Sequence, residues 1–212
     1  MDTTTSNVKA TRDDWLNAAL DTLIAGGIEQ VKILTLAERL NVSRSSFYWY
    51  FKSRDALLDA LLDHWLSTNT KAIVDHAALP AATITKAVCN VFVGFLDPAL
   101  FNNRLDFAIR DWSRRAPAVR EVLHRSDAQR IAALTEMFQR FSYPAADAIT
   151  RARVLYYMQI GYFDAELDEP IHERMPFTPH YLLAFTGVRA PETEVTALDA
   201  KLARIYRLND PA

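Results

Sequence analysis

Trp15, Leu16, Ala19, Leu20, Leu23 and Ile24 recur at spacings of three and four, the period at which side chains line one face of an α-helix. Thr11 with Asp14 three residues on forms a capping box at the front of this segment, and Gly26-Gly27 supplies its stop. A short second helix with the stripe Leu36, Ala37 and Leu40 ends before Asn41, a residue that tolerates the left-handed bend. Ser43 is placed to cap a third short helix from Arg44 to about Phe51. Ser53 is placed to cap a fourth, which opens near Arg54 and carries Leu57, Leu58, Leu61, Leu62 and Trp65.

Beyond Trp65 the apolar period continues, interrupted near Pro80, Asp97-Pro98, Ala116-Pro117 and Ser142-Tyr143-Pro144. The breaks predict helices over about 82–96, 99–115, 118–141 and 144–166. Asp168 to Pro179 holds three prolines and is expected to be a long connection rather than one regular helix. A short helix near His180 to Thr186 and a last one from Glu192 to about Leu208 complete the pattern.

Composition agrees with a helical chain. Only five glycines occur in 212 residues, and the alternating Val/Ile/Thr runs of a sheet are missing, so the expected class is all-α. Hydrophobic residues at 50% and charged residues at 24% supply a globular core and exclude a disordered chain. The lone Cys89 excludes an internal disulfide and a multi-cysteine zinc site. With no run of about 18 apolar residues and a polar start, neither a membrane span nor a signal peptide is expected, and the cytoplasm is the default location. The net charge of -2 rules out a body that is basic throughout, so any nucleic-acid contact must be local.

Such a local concentration exists. Two short helices joined by a tight turn, with small Ala37 under the crossing and apolar Val42 and Phe47 between them, make a helix-turn-helix pattern. From Asn41 to Arg54 the chain carries Arg44, Lys52 and Arg54 and no acidic residue. Arg44 is the type of side chain that reads guanine O6 and N7 in the major groove. Ser45, Ser46, Tyr48, Trp49 and Tyr50 add hydroxyls, an indole N–H and flat apolar surface for phosphates and thymine methyls. Arg54 opens the fourth helix, where side chain and exposed backbone N–H groups both attract a phosphate.

The run Ser43-Arg44-Ser45-Ser46-Phe47-Tyr48-Trp49-Tyr50-Phe51-Lys52-Ser53-Arg54-Asp55-Ala56-Leu57-Leu58 resembles the DNA-binding signature of TetR-type transcriptional regulators. The resemblance is dense from Trp15 to Leu62. It implies an all-helical homodimer with a three-helix DNA-binding domain, residues 1–58, and a larger helical regulatory and dimerisation domain, residues 59–212. It further implies base-reading roles for Arg44, Ser45 and Tyr48, and backbone-contacting roles for Ser46, Trp49, Tyr50 and Arg54. Asn41 stands where the family often has glycine, Arg54 where it often has lysine, and Lys32 where it often has threonine. Thr35 with Glu38 offers a second capping box, which leaves the start of the second helix open. The segment Phe107 to Arg115 also resembles one that recurs in some regulatory domains of the family.

In the C-terminal part, the helix from Ala145 to Glu166 is apolar around most of its circumference, with Ile149, Val154, Leu155, Tyr157, Met158 and Ile160. A helix of that kind buries more than one side. Together with Gly161 and the stripe Val195, Leu198, Leu202 and Ile205 of the last helix, it is expected to build a two-fold four-helix interface. Candidates for lining an effector cavity are Phe92, Phe95, Phe107, Trp112, Tyr156, Tyr157 and Phe163, although aromatics at helical spacing are more often plain core. The arginines at 110, 114, 115, 120, 125 and 130 are expected to be solvated or paired with Asp111, Glu121 and Asp127.

No nucleotide loop, nucleophile elbow or zinc-protease motif occurs, the five histidines are scattered, and Cys89 lies inside an apolar helix. No metal site, cofactor or catalytic activity is therefore expected. The reading that best fits is a homodimeric repressor released from a pseudo-palindromic operator by a small molecule. The competing one is a helical ligand-binding or enzymatic protein whose helix-turn-helix unit has lost its DNA affinity.

Overall fold

The computed structural model describes residues 10–167 and 169–207. The polar stretch ahead of Ala10, Asp168 at the head of the expected long connection and Leu208 at the expected end of the last helix lie outside the described residues. Every regular element among the described residues is helical. Besides short 3-10 turns at Ile28–Gln30 and Met175–Phe177 and a π-helical turn at Leu66–Thr70, these are in chain order α1 (Arg12–Gly26), α2 (Ile33–Arg39), a 3-10 segment (Arg44–Trp49), α3 (Arg54–Trp65), α4 (Lys71–Ala78), α5 (Ile84–Leu96), α6 (Asn103–Arg115), α7 (Pro117–Arg140), α8 (Ala145–Asp164), α9 (Ile171–Arg174), α10 (Thr178–Thr186) and α11 (Glu192–Ile205).

The chain forms two compact units, residues 1–65 with 104–123 and residues 66–103 with 124–212. In the first, Thr11 and Asp14 make the expected capping box: Asp14 N donates to Thr11 Oγ1 at 3.2 Å and Thr11 N donates to the Asp14 carboxylate at 2.7 Å. Those hydrogen bonds, the backbone one first, hold the Asp14 carboxyl below its ordinary pKa. Gly27 ends α1 at a φ of 76°, open to glycine without strain. Trp15, Leu23, Leu36, Phe47, Leu57 and Leu61 are wholly buried. A fully buried side chain of this size stabilises by about 1.5–3 kcal/mol.

Three local expectations change. α2 begins at Ile33 with Lys32 as its N-cap, so Thr35 already lies inside the helix and cannot cap it. Ser43 makes no cap; its hydroxyl pairs with that of Ser45 at 2.9 Å. The Pro-containing connection is wound into α9 and a 3-10 turn over Met175–Phe177 that leads into α10. Ser53 does cap α3, accepting from Ala56 N at 3.2 Å.

Residues 104–123 belong to the first unit through a buried polar junction. Asp106, with no exposed surface, accepts from Trp65 Nε1 at 2.8 Å and from Arg110 Nε at 2.9 Å. Arg110 thus pairs with Asp106, an acid outside the expected set, while Asp111 of that set pairs with Arg115 at 4.0 Å.

The second unit is built around Ile73, Val88, Val91, Phe95, Leu134, Phe138, Leu155 and Tyr156. Gly94 lets α4 and α5 approach closely, since a Cβ there would lie 3.0 Å from His76 and 3.2 Å from the Ala72 carbonyl. Contrary to expectation, Arg130 is fully buried. It donates to Tyr156 Oη at 3.2 Å and Thr70 Oγ1 at 3.1 Å, and Tyr156 donates in turn to Asp127 at 2.6 Å. Polar partners distant in sequence take its two terminal nitrogens where the sequence suggests a solvated or locally paired side chain. The α11 stripe also differs from its expected use: Leu198 and Leu202 are 3% and 2% exposed and pack into this unit's own core.

Candidate nucleic-acid interface

Asn41, at a φ of 52°, takes the left-handed bend between α2 and the following segment, with Val42 N donating to the Ala37 carbonyl at 3.0 Å. The segment after the bend is a 3-10 helix and not the expected α-helix. With three residues per turn, side chains at i and i+3 eclipse, so Ser45 and Tyr48 share one exposed column. Phe47 anchors the segment from beneath. Its ring meets Trp15 edge-on at 5.2 Å, Tyr48 at 5.3 Å and Phe51 in a stack at 5.5 Å.

This anchoring turns a defined set of groups outward. Arg44, Ser45 and Lys52 are exposed, and Tyr48 and Trp49 are 52% and 65% exposed, a large aromatic area for a surface position. Ser46 points inward, 8% exposed, its hydroxyl donating to the Ser43 carbonyl at 2.7 Å. Tyr50 is half-buried. Arg54 is also half-buried and is tied to the backbone: Nε donates to the Val31 carbonyl at 2.6 Å and Nη2 to the Ile28 carbonyl at 2.9 Å.

Beside the segment lies an open depression of about 610 Å³, lined by Leu34, Glu38, Asn41, Val42, Arg44 and Trp49 among others. Leu34, 56% exposed on its lip, was not a sequence candidate. Its signal is an apolar residue standing off the Leu36/Ala37/Leu40 stripe.

Of the seven expected effector-lining residues, Phe95 contacts Tyr156 and Phe163, and Tyr156 contacts Tyr157, so four meet in one aromatic cluster of the second unit. Phe107 and Trp112 belong to the first unit. Phe95 and Tyr156 are packed core, and Tyr157 is 48% exposed. Phe163 is partly buried, stacked on Phe101 at 6.0 Å. Phe92 borders a cavity of the second unit whose other walls include Leu96, Met158, Gln159, Tyr162 and Arg174. No group of three or more His, Cys, Asp or Glu among the described residues is placed to hold a metal ion. Burial pushes the Cys89 thiol up to about 12, and no described helix is long and apolar enough to cross a membrane.

A helix-turn-helix head carried on an all-helical body defines the class. Residues 16–61 match the family profile described as bacterial regulatory proteins, tetR family. Over 62 residues the chain is 43% identical to the tetracycline repressor protein class A from transposon 1721 of Escherichia coli. That match spans 29% of this chain and 29% of the relative, so the likeness in sequence is confined to less than a third of either protein. The fold extends further. Mycobacterium smegmatis AmtR superposes with a TM-score of 0.62 over 98% of this chain and 99% of its own, at 15% identity. A transcriptional regulator from Rhodococcus sp. Rha1 does so with a TM-score of 0.57 over 96% and 100%, at 18% identity. Residues 16–61 thus resemble the DNA-binding domain of the tetR family, and the chain shares the fold of the solved regulators it superposes on.

Proposed function

We propose that the protein acts as a homodimeric repressor on a pseudo-palindromic operator and is released by a small-molecule effector. In this reading residues 1–58 engage DNA and residues 59–212 dimerise and respond to the effector. The observation that carries it is the outward set Arg44, Ser45, Tyr48 and Trp49 on a segment pinned by wholly buried Phe47. Arg44, Ser45 and Tyr48 meet base edges. Trp49 and Lys52 meet the phosphate backbone, with Ser46, Tyr50 and Arg54 supporting the segment from behind and presenting backbone groups to the phosphates.

The homodimer is supported by α8. Ile149, Val154 and Tyr157 stand on its outer face 45%, 52% and 48% exposed, with exposed Gly161 beyond them and exposed Thr150 and Arg153 between them. A groove of about 210 Å³ between α8 and α10 runs beside it. The face offered to a second copy is therefore that of α8, α11 being used internally. A two-fold pair would set two recognition segments in successive major grooves, about 34–36 Å apart.

Fluorescence anisotropy of the purified chain with duplexes taken from the region flanking its own gene tests the reading. Specific binding that weakens by about 10³-fold or more between about 50 and 200 mM salt is expected, with a dimeric mass in light scattering. A monomer that ignores every duplex at low salt would leave the competing reading, a binding protein with a silent head.

A further inference from the structure

The cavity of the second unit, about 40 Å³, lies among α5, α8, α9, α10 and α11. Most of its wall is apolar: Phe92, Leu96, Met158, Leu198 and Leu202. Its polar side chains are Gln159, Arg174, Thr178, Tyr162 and Tyr181, and of these Gln159 and Arg174 each carry a buried nitrogen without a partner. Gln159 is 2% exposed, and its amide nitrogen has no hydrogen-bond partner. Arg174 stands on the same wall with its guanidinium 3.9 Å from the centre of the Tyr162 ring and its Nε buried without an acceptor. No carboxylate of the described residues lies within ion-pair distance of it. Burial accordingly draws the Arg174 pKa below its ordinary value, against the opposing influence of Glu169.

A buried polar group without a partner requires an explanation, because its desolvation is uncompensated. Here two such groups lie in the wall of one cavity, and both are donors. The guanidinium carries a full positive charge and a planar fork that matches a carboxylate. The remaining wall offers hydrocarbon contact, the Thr178 side chain and the tyrosines Tyr162 and Tyr181, and no second cation. A water molecule needs roughly 10–15 Å³ by this measure of volume, so the space is small, and the flexible Met158 and Met175 are the side chains able to enlarge it.

Building on the effector-controlled reading above, we propose that this cavity is the effector site and that the effector is a small organic monocarboxylate. Its carboxylate takes the Arg174 and Gln159 donors, and a short alkyl or aryl tail lies against Phe92, Leu96 and Leu202. The single cation selects against phosphate esters and other dianions, and the apolar wall against polyhydroxylated acids.

The test uses the full chain and three sets of probes: butyrate, hexanoate and benzoate; their amides; and hexylamine. Calorimetry and thermal melting are expected to show at least one carboxylate binding tenfold or more tightly than its own amide, with no binding of the amine. Arg174→Gln is expected to abolish that preference. Methyl-labelled methionine locates the site without a substitution: the Met158 and Met175 signals shift on titration and that of the core residue Met137 does not. Equal binding of acid and amide by the wild type, an unchanged preference in Arg174→Gln, or still Met158 and Met175 signals overturns the proposal, and the wild-type arms decide it even if the variant fails to fold. Operator binding is measured separately. A chain that binds its operator but no carboxylate refutes this inference alone, one that binds a carboxylate but no DNA refutes the repressor reading alone, and a carboxylate that binds without changing operator affinity refutes the effector role.

Discussion

Arg54 Nε donates to the carbonyl of Val31 at 2.6 Å, joining the first residue of α3 to the backbone that enters α2. With the second bond to the Ile28 carbonyl, the guanidinium holds the frame on which the recognition segment sits. Charge-assisted hydrogen bonds of this kind contribute about 1.5–3 kcal/mol each. Arg54→Ala is expected to destabilise the protein by about 2 kcal/mol in urea unfolding and to weaken DNA binding at every sequence alike. The salt slope should stay close to that of the wild type, because the lost contacts are to carbonyls. A slope reduced by about one would instead assign Arg54 a direct phosphate contact.

Arg44 and Lys52 face outward and should separate the two kinds of DNA contact. Arg44→Ala is expected to cost about 1–3 kcal/mol at the preferred operator and to relax selectivity at one base pair. Lys52→Ala should weaken all sequences equally and lower the salt slope by about one. Anisotropy titrations over a set of single-base variants at several salt concentrations distinguish these outcomes.

Phe47 is the plug of the head, without exposed surface and in contact with three aromatic rings. Phe47→Ala should cost about 3–5 kcal/mol and abolish DNA binding by unfolding the head, visible as lost near-ultraviolet circular dichroism. Phe47→Leu should retain most of both.

Asp199 is drawn above the ordinary carboxylate pKa by burial, and its Oδ1 has no hydrogen-bond partner. Its folded form therefore holds the proton more tightly than the unfolded chain, and ionisation opposes folding. The wild type gives up stability as pH rises from about 4 through the folded pKa. Asp199→Asn should melt higher than the wild type at pH 7, and the gap should close below about pH 4, as melting curves across pH would show. A variant that melts no higher than the wild type at pH 7 refutes this account.

Cys89, 1% exposed with its thiol pushed up to about 12, is neutral at physiological pH. A thiol reagent should modify it roughly a hundredfold more slowly in the native protein than in denaturant.

Much of this architecture is legible in the residues themselves. The Thr11/Asp14 box, the Asn41 bend, the Phe47 plug and the outward Arg44 and Tyr48 all follow from local chemistry that a linear pattern preserves. What the pattern hides depends on distant partners. Arg130 reads as a solvated helix residue because Thr70 and Tyr156, which accept from its terminal nitrogens, lie 60 and 26 positions away. The α11 stripe shows that the helix is buried on one side but not what buries it. Gln159 and Arg174 look like ordinary polar positions until folding withdraws their partners, and the tight 3-10 winding of residues 44–49 has no signature distinct from an α-turn.

Trp65 and Asp106 meet in a unit whose residues come from two separated stretches of chain. A fragment cut after α3 would leave the Trp65 indole facing water with no carboxylate to receive its proton. Exchanging recognition specificity with a relative would then demand two grafts, the opening sixty-five residues together with the later twenty, because the lock for the first is filed in the second.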